Sequence, residues 1–172
     1  MVDEFLPNPS DPQSSAFARG ARVMTNGTVI AVGGGNRGDG TGGQHYVRKS
    51  HLSSLGTWTT LDAYQPFSFS EGFGSAWAND VTIGRFGRIF TSGTENEAGS
   101  DFYAAISRQG NSDVSSFIRS DYVIDPATIT SQHEFVYAGG IDTLANFNIL
   151  AGHVQDRGGS KSWMVRKMSC NL

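Results

Sequence analysis

Apolar residues along the 172-residue chain come in short runs rich in β-branched and aromatic side chains, set between polar stretches dense in glycine and serine. Nowhere do they recur at positions i, i+3, i+4 and i+7 with caps, so the pattern predicts strands and almost no helix. Residues 28–32, 88–92 and 147–151 are three such runs. Their apolar positions are consecutive, as in a sheet covered on both faces. The dipeptide Asn26-Gly27 between two runs marks a tight hairpin.

The runs belong to a repeat. With Gly33, Gly93 and Gly152 as anchors, the spacings are 60 and 59 residues, and a turn residue, Gly27, Gly87 or Asn146, stands six positions before each anchor. A polar, glycine-bearing loop follows each anchor, and then another strand. That strand ends in Val47-Arg48-Lys49 in the first unit and Val165-Arg166-Lys167 in the third, while the middle unit matches at Tyr103-Ala104-Ala105-Ile106 without the cationic pair. A fourth strand at 57–64, with Trp58 and Asp62, recurs at 116–123 with Phe117 and Asp121. Val2-Asp3-Glu4-Phe5-Leu6-Pro7 aligns with Leu61-Asp62-Ala63-Tyr64-Gln65-Pro66, so the chain is expected to begin inside a fourth strand.

The expected organisation is a single repeat domain over 1–172. Residues 1–15 form the tail of a fourth strand plus a linker, 16–65 and 75–124 form two full units, and 134–172 form a third unit lacking its fourth strand. Four antiparallel strands per unit of this length predict an all-β fold of β-propeller-like blades, three per chain. Three blades leave two apolar flanks open, so the ring is expected to be completed by oligomerisation, as a homodimer or homotrimer, or by further sequence.

Composition narrows the partners. Thirteen Lys and Arg against 16 Asp and Glu, with no basic run of five, exclude a nucleic-acid or anionic-membrane surface, and no apolar stretch reaches ten residues, which excludes a helical span. One cysteine, Cys170, and four scattered histidines make no Cys/His zinc site, and no metal or other cofactor is expected.

The connections between units and those following the anchors are long, at 66–75 and 125–134 and at 34–43, 94–101 and 153–161. In a propeller these share one face, the expected binding surface. Phe67, Phe69 and Phe73 with Glu71 have two readings: the rings plug the space between blades, or they stack on a sugar ring with the carboxylate for its hydroxyls. Arg37 and Asp39, Glu95 and Asp101, His133, and Asp156 with Arg157 supply further polar candidates on that face. Trp77, aligned with Phe17 and Val136, and the pair Trp58 and Phe117 are expected to pack between blades. No Gly-x-Ser-x-Gly elbow occurs, and no catalytic residue is assigned.

The segment Val47-Arg48-Lys49-Ser50, followed by Gly56-Thr57-Trp58-Thr59-Thr60-Leu61-Asp62-Ala63-Tyr64, resembles bacterial sialidase-like propeller repeats of the Asp-box (BNR) class. Such repeats carry a structural Ser-x-Asp-x-Gly-x-Thr-Trp turn, of which this chain keeps Gly56-Thr57-Trp58 and has lost the aspartate. Sialidases of this class draw three arginines, a tyrosine nucleophile with a glutamate, and an aspartate from several blades of a six-bladed ring. The resemblance therefore implies a propeller without a complete catalytic set. The expectation is a non-catalytic adhesion module that binds glycans or a cell-surface ligand through the face carrying the long loops, a C-terminal part of a larger surface or fibre protein, extracellular or at the bacterial surface. The alternative is a sialidase-like glycoside hydrolase fragment active in a completed ring.

Overall fold

The computed structural model describes residues 5–40, 42–54, 56–68, 72–96, 104–122, 133–144, 147–156 and 161–169. Among them are three antiparallel sheets and one short ribbon, with no α-helix. The first sheet holds β1 (Ser15–Val23), β2 (Thr28–Asn36), β3 (Gly43–His51) and β4 (Thr59–Tyr64) in sequence order. The ribbon pairs β5 (Phe67–Ser68) with β6 (Gly72–Phe73). The second sheet repeats the order of the first with β7 (Ser75–Ile83), β8 (Arg88–Asn96), β9 (Ala104–Asn111) and β10 (Val114–Tyr122). The third holds β11 (His133–Leu144), β12 (Phe147–Asp156) and β13 (Lys161–Ser169). The fold is a β-propeller-like stack of up-and-down sheets. The Asn26-Gly27 hairpin is realised as read, with Gly27 at φ +84° and Gly27 N–H donating to Met24 O at 2.9 Å.

Strand register aligns the units residue by residue. Each first strand carries a bulge at the equivalent position, between Ala18 and Gly20, Ala78 and Asp80, and Ala138 and Gly140, and β11 has a second between His133 and Phe135. The anchor glycines lie opposite these alanines: Gly33 on Ala18, Gly93 on Ala78, Gly152 on Ala138. A bulge bends and twists the strand, and here it presses a carbonyl onto the neighbouring backbone. A Cβ at Gly33 would overlap the Phe17 carbonyl oxygen, and one at Gly93 would overlap that of Trp77. Gly33 and Gly93 are glycine because only hydrogen fits beneath the bulged strand.

The register also corrects two alignments. Arg48, Arg108 and Arg166 lie opposite Ala31, Thr91 and Leu150, which are equivalent positions, so the middle unit does carry the arginine. Phe17 and Trp77 correspond to Tyr137 and not Val136, since they face Gly34, Thr94 and His153.

The core lies between the first two sheets. Ile30, Val32, Val47 and Leu61 of the first meet Ala78, Val81, Ile89 and Phe117 of the second. Each such side chain contributes roughly 1.5–3 kcal/mol on burial, so the seam between blades is the main apolar term. β8, with a neighbour on each side, is buried along nearly its whole length, whereas β2 has Ala31 half-buried on the side away from the second sheet.

Gly33→Ala is expected to destabilise the protein by about 3 kcal/mol, as overpacking against immovable backbone does. Gly43→Ala, whose Cβ would meet nothing closer than 3.6 Å, should be near neutral. Urea denaturation of the two variants checks the contrast.

Candidate functional site

The first strands of the three sheets lie side by side, β7 in contact with both β1 and β11, so their bulges converge on the common axis side. The residues they display are polar. Arg19 Nη1 donates to Asn79 Oδ1 at 2.7 Å, and Asn79 Nδ2 donates onward to Thr94 Oγ1 at 3.3 Å. The Arg19 guanidinium also stands 4.9 Å from the Phe17 ring centre. One turn of the pleat further on, Arg22 Nη2 reaches Asp80 Oδ1 at 3.4 Å, and Asp80 Oδ2 accepts from Ile141 N–H of the third sheet at 3.3 Å. Asp142, exposed on β11, accepts from Thr82 Oγ1 at 3.4 Å and from Thr143 N–H at 2.8 Å. A hydrogen-bonded row thus runs from β1 through β7 to β11. It brings two arginines and two carboxylates together over a buried amide, a set suited to a polyhydroxylated ligand. Sequence reading missed these residues because they lie inside strands. The signal was present as the polar break Arg19, Asn79-Asp80 and Asp142 in otherwise apolar first strands.

A second polar set lies in the seam. Arg108 of β9 makes a bidentate pair with Asp62 of β4, Nε to Oδ2 at 2.7 Å and Nη2 to Oδ1 at 3.0 Å, and also donates to Phe117 O at 3.2 Å. Its guanidinium stacks 3.9 Å from the Tyr64 ring centre. Burial pushes the Asp62 carboxyl above its usual range, opposed by the bonds from Arg108. His45, fully buried, shares a 3.2 Å hydrogen bond with Thr91 Oγ1. Desolvation, then the charge of Arg108, lowers its pKa from 6.5 to about 3. These groups hold two blades together.

The expected site residues divide. Arg37 and Asp39 pair with each other at 3.7 Å on the rim, both about half exposed. Phe73 is half exposed on the ribbon, and the Phe67 backbone pairs with it in register. His133 and Asp156 are brought opposite each other at the ends of β11 and β12. Phe69, Glu71, Asp101 and Arg157 lie outside the described residues. Glu95 is a correction: it sits inside β8, 1% exposed, accepting a hydrogen bond from Tyr64 O–H at 2.6 Å. It belongs to the seam because β8 runs further than its apolar stretch suggested, carrying the carboxylate beneath the neighbouring blade. Trp58 also departs from expectation. It is half-buried and lines an open groove, whereas Phe117 at the equivalent place is buried. Among the described residues no cluster of His, Cys, Asp and Glu could hold a metal ion.

This architecture is that of a propeller-type protein with a polar axis. The chain is similar to solved structures of the α-L-arabinofuranosidase Arb93A from Fusarium graminearum with an iminosugar inhibitor, at 14% identity and TM-score 0.59 over 97% of this chain. The GH93 α-L-arabinofuranosidase of Fusarium graminearum with arabinobiose matches at the same identity and TM-score over 96%. In both, the match covers 49% of the other chain, so this chain spans about half the length of those structures. No protein-family model matches, and no curated protein does either. The likeness is one of fold. It overturns the expectation that the chain is no enzyme, because the folds it matches are those of glycoside hydrolases.

His45 predicts a pH dependence. With a folded pKa of about 3 against 6.5 unfolded, protons bind the unfolded chain preferentially below pH 6.5. Stability should therefore fall as pH drops from about 6.5 towards 3 and be insensitive to this group above. The slope is on the order of 1.4 kcal/mol per pH unit, and His45→Gln should flatten it in urea titrations. Asp62→Ala, which leaves Arg108 buried without its carboxylate, should cost about 3–5 kcal/mol, measured by the same denaturation at pH 7.

Proposed function

We propose that the chain is part of a β-propeller glycoside hydrolase that binds its substrate at the axis, with α-L-arabinofuranosides as the first substrate class. The observation that carries this reading is the polar row across the three inner strands. Glycosidases work through paired carboxylates flanking the scissile bond, and Asp80 and Asp142 stand on adjacent inner strands of the row. Exposed Arg19 supplies donors for sugar hydroxyls, and buried Asn79 holds it from beneath. Their hydrogen bond holds both side chains in place before a ligand arrives, which lowers the ordering cost of binding. The arabinofuranosidase and its arabinobiose complex support the substrate class by fold alone. The resemblance of 47–64 to sialidase-like repeats supports sialosides as the comparison substrate.

In this reading Asp80 is held by Arg22 and by the backbone of Val81 and Ile141, so its replacement confounds chemistry with folding. Asp142 and Arg19 are the cleaner probes. Chromogenic α-L-arabinofuranoside should be turned over, and Arg19→Ala should lower kcat/KM about 100-fold, equivalent to about 2.7 kcal/mol. Asp142→Asn should abolish turnover with an unchanged circular dichroism spectrum. Absence of turnover on arabinofuranosides and sialosides alike, in a sample whose native mass shows a closed assembly, overturns the proposal.

A further inference from the structure

The flank of the first sheet that faces away from the second is open, and a groove of about 570 Å³ runs along it. Its lining includes Ala16 and Ala18 of β1, Ala31 of β2, Tyr46 and Arg48 of β3, and Trp58. Strand register and repeat spacing make each of these the counterpart of a residue in the second sheet: Ala76, Ala78, Thr91, Ile106, Arg108 and Phe117. Those six are between 0% and 9% exposed, because the first sheet covers them. The groove is therefore the receiving half of a seam whose other half is missing.

The giving half is on the same chain. In the closed seam the first sheet contributes Ile30, Val32 and Val47, at 0%, 2% and 0% exposure. Their counterparts in the third sheet are Ile149, Ala151 and Val165. Ile149 is half-buried, Ala151 is exposed and Val165 is 70% exposed. A β-branched side chain buried in one blade and bare at the same place in another marks a face built for a neighbour.

A third observation joins the two. Arg48 stacks 3.9 Å from the Phe5 ring centre, as Arg108 stacks 3.9 Å from that of Tyr64. Phe5 lies 59 positions before Tyr64. The segment ahead of β1 thus already holds, against the groove, the aromatic of a fourth strand that belongs to the missing blade. The third sheet has three strands among the described residues, and β13 is its edge, so that segment is placed to serve as its fourth strand.

We propose that the groove is filled by a second copy of this chain. The outer face of the third sheet of each copy seats on the first sheet of the other, and a twofold axis closes a ring of six sheets. A second copy is the occupant because one chain carries both halves of the seam in register, and six sheets fall within the range that closes a propeller. Two copies also restore the length of the solved propellers, of which this chain covers 49%. The pairing is independent of the chemistry at the axis, since it is read as a mass and not as turnover.

Light scattering of the purified chain at micromolar concentration should give twice the 18.4 kDa of one chain. Val165→Asp, a change at an exposed position, should weaken the dimer at least about 100-fold by placing a charge in the seam, with the circular dichroism spectrum kept. A cross-link tests the register. Lys49 Nζ donates to Ser112 O at 2.5 Å across the closed seam, and the counterparts of these residues by strand register are Lys167 and Leu52. In a Cys170→Ser background, Lys167→Cys with Leu52→Cys should yield a covalent dimer with a bis-maleimide, whose reach replaces that of the lysine arm where a disulfide would be too short, and neither single variant should. A monomeric or trimeric mass, a Val165→Asp variant that remains dimeric, or failure of the double variant to cross-link would each overturn the proposal.

Discussion

A sheet whose two faces are both apolar is stable only between two neighbours, and every other feature of this protein follows from that constraint. The second sheet meets it inside the chain: β8 is buried from Ile89 to Glu95. The first and third sheets each meet it on one side. Val165 bare on one outer face and Trp58 lining a groove on the other are consequences of the same geometry that buries Val47 and Phe117.

Polar groups fix how the blades meet. Apolar contact is non-directional and would tolerate sliding of one sheet over the next. The fork of Arg108 on Asp62, the Tyr64 hydroxyl on Glu95 and the Thr91 bond to His45 admit one register only. Charged groups under cover are costly unless paired, so these contacts contribute more to specificity than to net stability. The axis uses the complementary logic. There Arg19, Asp80 and Asp142 are linked across sheets yet left at least partly open to solvent, with buried Asn79 beneath Arg19.

Much of the fold was legible because a repeat multiplies weak signals. One glycine after a β-branched run means little, but three at spacings of 60 and 59 imply one structural cause, and the bulged strand above each anchor is that cause. The arginine of the middle unit stands 60 positions after Arg48, the spacing of the anchors Gly33 and Gly93, so the match at Tyr103-Ala104-Ala105-Ile106 is out of frame by counting alone. Cross-strand pairing is indifferent to loop length, and it set Arg108 beside Arg48 at once. Trp58 was read as packing from its match with Phe117. The match is correct, but burial depends on whether a neighbouring blade is present.

The sequence by itself determined the all-β architecture, the period and the glycine anchors, because these depend on side-chain alternation and backbone sterics within one unit. It also determined that flanks would be left open, since the count of units follows from the period. Only the tertiary structure decided which polar residues are latches and which face the axis. Glu95 and Asp80 are both acids beside an apolar run, and nothing local separates them. Their roles arise from which sheet comes to lie across them, a non-local fact that one strand cannot encode.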